Sequence, residues 1–287
     1  MRNENIARIW RVALAAVACL AVAFSARAQG GGAGASASSG AAAGAASKAN
    51  TTVGRDMSLA NPEVALELTR PPEKKEAKAY EAFKSVSLSD MGAKIKAGEK
   101  FLNEFPKSEL VAFVYPYLVV GYIQQNQMPK ALDAARKDFE ANPKDFRTMA
   151  VLSQSLARTY NPAAPDAESQ LAKAEDYGKK ALEGSKTLTK PDGMSDEVFA
   201  ELKRETESMA HSGVGLVALR QNKYPEAIAE IEKSVSLNDQ DQTNFYLLGV
   251  ANQNSDHLAE AAKAFAKCAS LQGNLQDECK KAAAAAK

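Results

Sequence analysis

Two stretches near the C-terminal end of the chain carry small and large side chains in the same order, 34 residues apart. One is HSGVGLVALRQNKYPEAIAEIEKSVSL, from His211 to Leu237. The other is FYLLGVANQNSDHLAEAAKAFAKCASL, from Phe245 to Leu271. Laid over each other, they pair His211 with Phe245, Val214 with Leu248, Gly215 with Gly249 and Tyr224 with Leu258. They also pair Ala227 with Ala261, Ile231 with Phe265 and Ser234 with Cys268. Recurrence at a fixed period marks a repeat architecture, in which a unit buries its apolar face only against the next. Large residues recur where one helix fills its neighbour's groove. Gly215, Gly249, Ala227 and Ala261 recur where two helices cross so closely that a larger side chain would push the backbones apart.

From about Pro72 onward every segment has helical periodicity, and no run alternates as a strand does. Short breaks rich in Pro, Asn, Gly and Asp separate the segments: FPKS, NQMP, NPKD, YNPAAPD, TKPDG, NKYP and NDQD. The pattern predicts helices of roughly 12 to 18 residues joined by tight turns, that is, a row of helical hairpins. A further copy at 112–145 carries Tyr115, Leu118, Tyr122, Ala131 and Pro143. Another begins with Met149, Leu152 and Leu156 and resumes at Leu171, Ala174 and Ala181, with NPAAPDAES as an inserted loop. The stretch SDEVFAELKRETE extends the first helix of the copy at 208 backwards. Ser195 would cap that helix, with Asp196 and Glu197 in its first turn, and it would run about 25 residues, or about 37 Å.

These residues resemble the tetratricopeptide repeat (TPR), whose pattern runs large-x2-Leu-Gly-x2-Tyr, then Ala, a large residue, Ala and Pro. The 208–241 copy matches through Val214, Gly215, Ala218, Tyr224, Ala227 and Ile231. The 242–272 copy matches through Phe245, Leu248, Gly249, Ala261 and Phe265. The resemblance implies an all-α chain folded as a right-handed α-solenoid over 73–287, with repeats at 73–107, 108–145, 146–187, 196–241 and 242–272. The tail 273–287 then reads as a helix covering the last repeat's apolar edge.

The N-terminal part has a different character. Arg2, Arg8 and Arg11 precede VALAAVACLAVAF, and Ala26-Arg27-Ala28 supplies small residues before Gln29. This is the secretory signal pattern, and the apolar run is too short for a membrane span. Segment 1–28 is therefore expected to be removed and the protein to be exported, periplasmic or secreted, with no membrane span in the mature chain. Cys19 lacks the surroundings of a lipoprotein cysteine. Segment 29–58 is Gly, Ala and Ser with almost no large side chain and reads as a disordered tether; 59–72 reads as a short linker. Removal takes four of the 36 basic and one of the 35 acidic residues, leaving a net charge near −2. The charge balance lacks the concentrated basic face that nucleic acid requires. Outside a reducing compartment, the remaining Cys268 and Cys279 form a candidate disulfide.

No catalytic constellation stands out. There are two histidines, His211 at a packing position and His257 in a turn. The chain shows no phosphate loop, G-x-S-x-G elbow, H-E-x-x-H or calcium loop. The expectation is a non-enzyme without metal or cofactor. In TPR arrays the first helix of each hairpin lines a concave surface. Carried onto this chain, that surface comprises Phe113, Val120, Ile123 and Gln124; Arg147, Gln154 and Arg158; Met209, Leu216, Leu219 and Arg220; and Thr243, Tyr246, Val250 and Asn254. It would be an amphipathic trough for a protein or peptide segment with apolar anchors and acidic character. Pro116, Ala150, Val120 and Leu216 stand where the carboxylate-clamp version of the family has its Lys and Asn. The function implied is a protein-binding scaffold outside the cytoplasm. The alternative is an accessory subunit of a cell-envelope assembly or wall-maintenance machine whose catalysis resides in the partner.

Overall fold

The computed structural model describes residues 68–191 and 194–286. The expected signal peptide, Cys19, the tether and most of the linker lie outside these residues. The described residues form eleven α-helices and one 3₁₀ turn, and among them there is no strand. They belong to two compact units that divide between Gln127 and Met128.

The first unit contains α1 (Lys74–Lys84), α2 (Met91–Glu104), a 3₁₀ turn (Glu109–Phe113) and α3 (Tyr115–Gln124). Within the expected linker, the Thr69 backbone N–H donates to Glu109 at 2.6 Å. Aromatic rings hold the unit together. Tyr80 stands 5.9 Å from Phe101 and 6.1 Å from Phe113, and Phe83 meets Tyr117 edge-on at 5.4 Å. Lys94 is buried beneath them and donates to the carbonyls of Phe83, Lys84 and Val86. The Phe83 and Lys84 carbonyls end α1 and Val86 lies just past it, so the amine ties off that helix end while it lies 4.1 Å from the Phe83 ring centre.

The second unit contains α4 (Met128–Ala141), α5 (Phe146–Arg158), α6 (Ala167–Ser185), α7 (Asp196–Arg220), α8 (Tyr224–Leu237), α9 (Gln242–Asn254), α10 (Leu258–Ser270) and α11 (Gln276–Ala285). The span 108–145 therefore crosses the division, with α3 in the first unit and α4 in the second. From α5 onward the helices pair as hairpins. α7 has 25 residues, and the Ser195 hydroxyl accepts from the Val198 N–H at 3.3 Å. Asp145 and Asp241 cap α5 and α9 in the same way, at 2.9 and 3.0 Å.

Turn chemistry repeats as well. Asn222 and Asp256 come after α7 and α9 with φ of 59° and 61°. The next backbone N–H then reaches back, from Lys223 to Ala218 at 2.9 Å and from His257 to Asn252 at 3.0 Å. This left-handed closure releases the chain at the angle that starts the second helix. In the first unit Asn126, with φ of 56°, ends α3 identically.

The close crossings fall at the recurring small residues. A β-carbon on Gly215 would meet Ile231 Cγ1 at 2.7 Å. One on Gly249 would meet the Phe265 ring at 2.4 Å. Ile231 and Phe265 are themselves 34 apart, so the two glycines hold equivalent contact points in successive hairpins.

Second helices are also joined to the next helix in the chain at one fixed place, seven residues after Ala131, Ala227 and Ala261. Asp138 on α4 is buried near Asp145, the cap of α5, and its carboxyl oxygens have no hydrogen-bond partner. Ser234 on α8 accepts from the Asn244 amide of α9 at 2.9 Å. Cys268 on α10 is bonded to Cys279 on α11. Asp138, Ser234, Cys268 and Cys279 are fully buried.

Candidate functional site

The first helices of the second unit's hairpins, α5, α7 and α9, are tied side by side through polar groups. Gln154 on α5 donates to Ser212 on α7 at 3.0 Å, and Ser212 donates to Asn244 on α9 at 2.6 Å. Asn244 then donates to Ser234 on α8, whose hydroxyl in turn donates to the Ser208 carbonyl at 2.8 Å. Ser212, Ser234 and Asn244 are buried. Being satisfied, this network fixes the relative register of three successive first helices.

Alongside it, Arg147 pairs with Glu205 at 3.2 Å, again α5 to α7. At the ends of the helices stand Arg158, Arg220 and Asn254, which occupy the same repeat position on α5, α7 and α9. All three are half-buried. Arg220 donates to the Ala157 carbonyl at 3.4 Å and lies over the Tyr160 ring at 5.9 Å. Burial pushes its guanidinium pKa down, and Tyr160 opposes this. Burial likewise pushes Arg158 down against the attraction of Asp241, and the Arg158 Nε has no hydrogen-bond partner. The Asn254 amide donates to the Val250 carbonyl at 2.8 Å. Both arginines sit in last turns, where a cation complements the exposed carbonyls.

The amphipathic trough needs a correction here. Leu216, Leu219, Tyr246 and Val250 have 3, 2, 6 and 7% of their surface exposed. Tyr246 packs on Phe265 with ring centres 5.7 Å apart. The apolar half of the expected lining is thus committed to joining helices, because each first helix is flanked by its own partner and by the neighbouring hairpin. Met209 is half-buried against Met149, Ala150, Ala181 and Ala210. What the second unit presents is mainly polar: Arg147, Gln154, Arg158, Arg220, Thr243 and Asn254. In the first unit Phe113 is buried and lies in the 3₁₀ turn, Val120 and Ile123 are half-buried, and Gln124 is exposed. Phe113 is accordingly corrected to a core residue, one ring of the aromatic cluster.

Of the packing set, Leu118, Tyr122, Ala131, Ala227, Leu248, Ala261 and Phe265 are buried, while Tyr115 and Val214 are half-buried. One junction was not legible as a set. Ser153 on α5, Gly178 on α6 and Gly213 on α7 converge, and a β-carbon on Gly213 would lie 2.8 Å from Ser153 Cβ and 2.9 Å from the Gln154 backbone nitrogen. Gly213 stands in the visible string SGVG, but the inserted loop hides the register that would bring Gly178 to it.

The histidines do not meet. The His211 ring bonds Glu230 across the α7–α8 hairpin at 2.6 Å. That bond, helped by Lys233 and opposed by burial, holds Glu230 down at about 2. The His257 side chain is exposed, and its backbone N–H closes α9. Among the described residues no group of three or more His, Cys, Asp or Glu could hold a metal ion. No helix among them is long and apolar enough to cross a membrane.

No family model and no curated protein matches the sequence. Solved structures do match. A thermophilic TPR protein from Thermus thermophilus is 17% identical, with a TM-score of 0.50 over 74% of this chain and 98% of that one. Pseudomonas aeruginosa pilF is also 17% identical, with a TM-score of 0.52 over 74% of this chain and 90% of that one. The 34-residue register, the equivalent glycine contacts and the structural likeness agree, and the chain has the fold of the TPR proteins, an all-helical α-solenoid.

Proposed function

We propose that the protein is a non-enzymatic scaffold that works outside the cytoplasm and binds a protein segment along α5, α7 and α9. The observation that carries this is the row formed by Arg158, Arg220 and Asn254 at one repeat position, next to Gln154 and Arg147. Three parallel helices held in register by buried hydrogen bonds present polar groups at a regular spacing. An extended partner with acidic side chains meets two arginines there, and its main chain meets amides. Because the apolar lining is buried, affinity would come from charge and hydrogen bonding more than from apolar anchors. The TPR fold supports this reading, since stacked hairpins provide a continuous surface. Export rests on the N-terminal sequence pattern.

The test is binding of fluorescent peptides of acidic, neutral and basic composition to the intact chain and to the Arg158→Glu/Arg220→Glu variant. Acidic peptides are expected to bind best, and the variant to weaken them about tenfold or more with helicity unchanged. Equal binding by both proteins would remove the groove assignment. Fractionation of the source cells tests export separately: retention of the full-length chain in the cytoplasm would overturn it.

A further inference from the structure

We propose that the Cys268–Cys279 disulfide is a redox-operated lock on α11, and that its reduction releases this helix while the hairpins before it stay folded. The reason begins with how little else holds α11. The helix has ten residues, below the length at which a helix is stable alone in water. Of those ten, Cys279 is the one buried side chain. Its other residues are Gln276, Asp277, Glu278, Lys280, Lys281 and alanines; the half-buried ones are Gln276, Glu278, Ala282 and Ala283, which offer little apolar area to the neighbouring α10.

The second tie lies before the helix rather than in it. Gln242, at the start of α9, donates to the carbonyls of Cys268 and Leu271 at 3.1 and 3.0 Å, and accepts from the Leu275 N–H at 3.1 Å. Leu271 and Leu275 are buried. The linker is thus anchored through Leu275, and beyond it the buried side chains are those of Cys279 and, just past the helix end, Ala286. Register explains the arrangement. Leu275, which precedes α11, lies 34 residues after Asp241, which precedes α9. α11 therefore stands where the first helix of a further hairpin would, but with alanines at 282 and 283 where α9 has Leu248 and Gly249. Alanines at those positions offer less to pack against, and the disulfide supplies the tie that larger side chains supply for α9.

The chemistry is thiol–disulfide exchange with a dithiol reductant. Its thiolate attacks one sulfur of the bond, and the mixed disulfide is then resolved by its second thiol. The two cysteines leave as thiols, having gained two electrons and two protons, and the reductant leaves as its disulfide. Both sulfurs are buried, so attack requires local opening of α11.

Hydrogen exchange read by mass spectrometry on the full chain tests this. Three samples are compared: oxidised, treated with dithiothreitol, and Cys279→Ala without reductant. The amides from Cys279 to Ala286 are expected to exchange about tenfold faster or more in the second and third samples. Protection in α7 to α9 is expected to persist. Protection of α11 within about twofold of the oxidised value in either sample would overturn the proposal. So would a loss that spreads through α7 to α9, because the bond would then hold the whole unit rather than its end.

Discussion

Gly249→Ala isolates the steric argument in a single methyl group. The added carbon would stand 2.4 to 2.7 Å from three atoms of the Phe265 ring, well inside contact distance. The ring has little room to retreat. It is 1% exposed and is backed by Tyr246 at 5.7 Å between centres. Against this clash stands a gain, because alanine in a helix interior is favoured over glycine by about 1 kcal/mol. Overpacking of this kind costs about 1–3 kcal/mol. The net expectation is a loss of up to about 2 kcal/mol, which for a chain of this size lowers Tm by about 2–4 °C per kcal/mol. Urea unfolding followed by far-UV circular dichroism measures it, and amide exchange places the loss in α9 and α10. A second substitution sharpens the test. Phe265→Leu alone leaves a partly filled space and costs about 1–1.5 kcal/mol. With the ring gone, Gly249→Ala should become neutral or stabilising, so the double variant should fall short of the summed losses by about 1 kcal/mol or more. A Gly249→Ala protein that gains the full helix-propensity increment, with Phe265 intact, would refute the close crossing.

Two further outcomes concern buried or constrained groups. Asp138 is fully buried, and burial first, then the neighbouring Asp145 carboxylate, pushes its pKa from 3.8 up to about 10. A folded value above the unfolded one means stability that is complete below about pH 4 and is progressively lost as pH rises towards 10. Asp138→Asn removes the ionisable group and should flatten the fall in stability between about pH 5 and 9; an unchanged slope in urea melts at several pH values would contradict it. Asp256 closes α9 with φ of 61°, a conformation that glycine adopts without strain. Asp256→Gly and Asp256→Val both lose the aspartate side chain, and the glycine variant should be the more stable by about 1–2 kcal/mol; equal Tm values would count against the left-handed closure.

Much of the fold was legible because the constraint is steric and periodic. Gly215 and Gly249 could be matched by eye, and the structure puts them against Ile231 and Phe265, the residues that recur with them. The 25-residue α7 could be read from Ser195 and the acids next to it. The interaction face was less legible. Leu216, Leu219, Tyr246 and Val250 occupy positions that line a groove when only one layer of neighbours is considered. Burial of those side chains depends on where the next hairpin sits, and a single repeat does not encode that. The network through Ser212, Ser234 and Asn244 was hidden for a related reason. Serine and asparagine in a helix usually signal a solvated face, and only the crossing of α7, α8 and α9 turns them inward. The inserted loop after α5 broke the spacing that would have tied Ser153 to Gly178 and Gly213.

The three buried junctions at Asp138, Ser234 and Cys268 occupy one architectural address but speak three chemical dialects. At the first a carboxyl group is buried near a second carboxylate without a hydrogen bond, at the second a hydroxyl meets an amide, and at the third a sulfur is bonded to a sulfur. The three helices are in this way distinguished by their joints. An α4 segment moved to the position of α10 would bring an acid against Cys279, and an α10 segment moved to the position of α8 would bring a thiol against Asn244. The order of the modules is thereby marked in their linkages as well as in their shapes, and a graft of one hairpin onto another is expected to fit best when it carries its own joint with it.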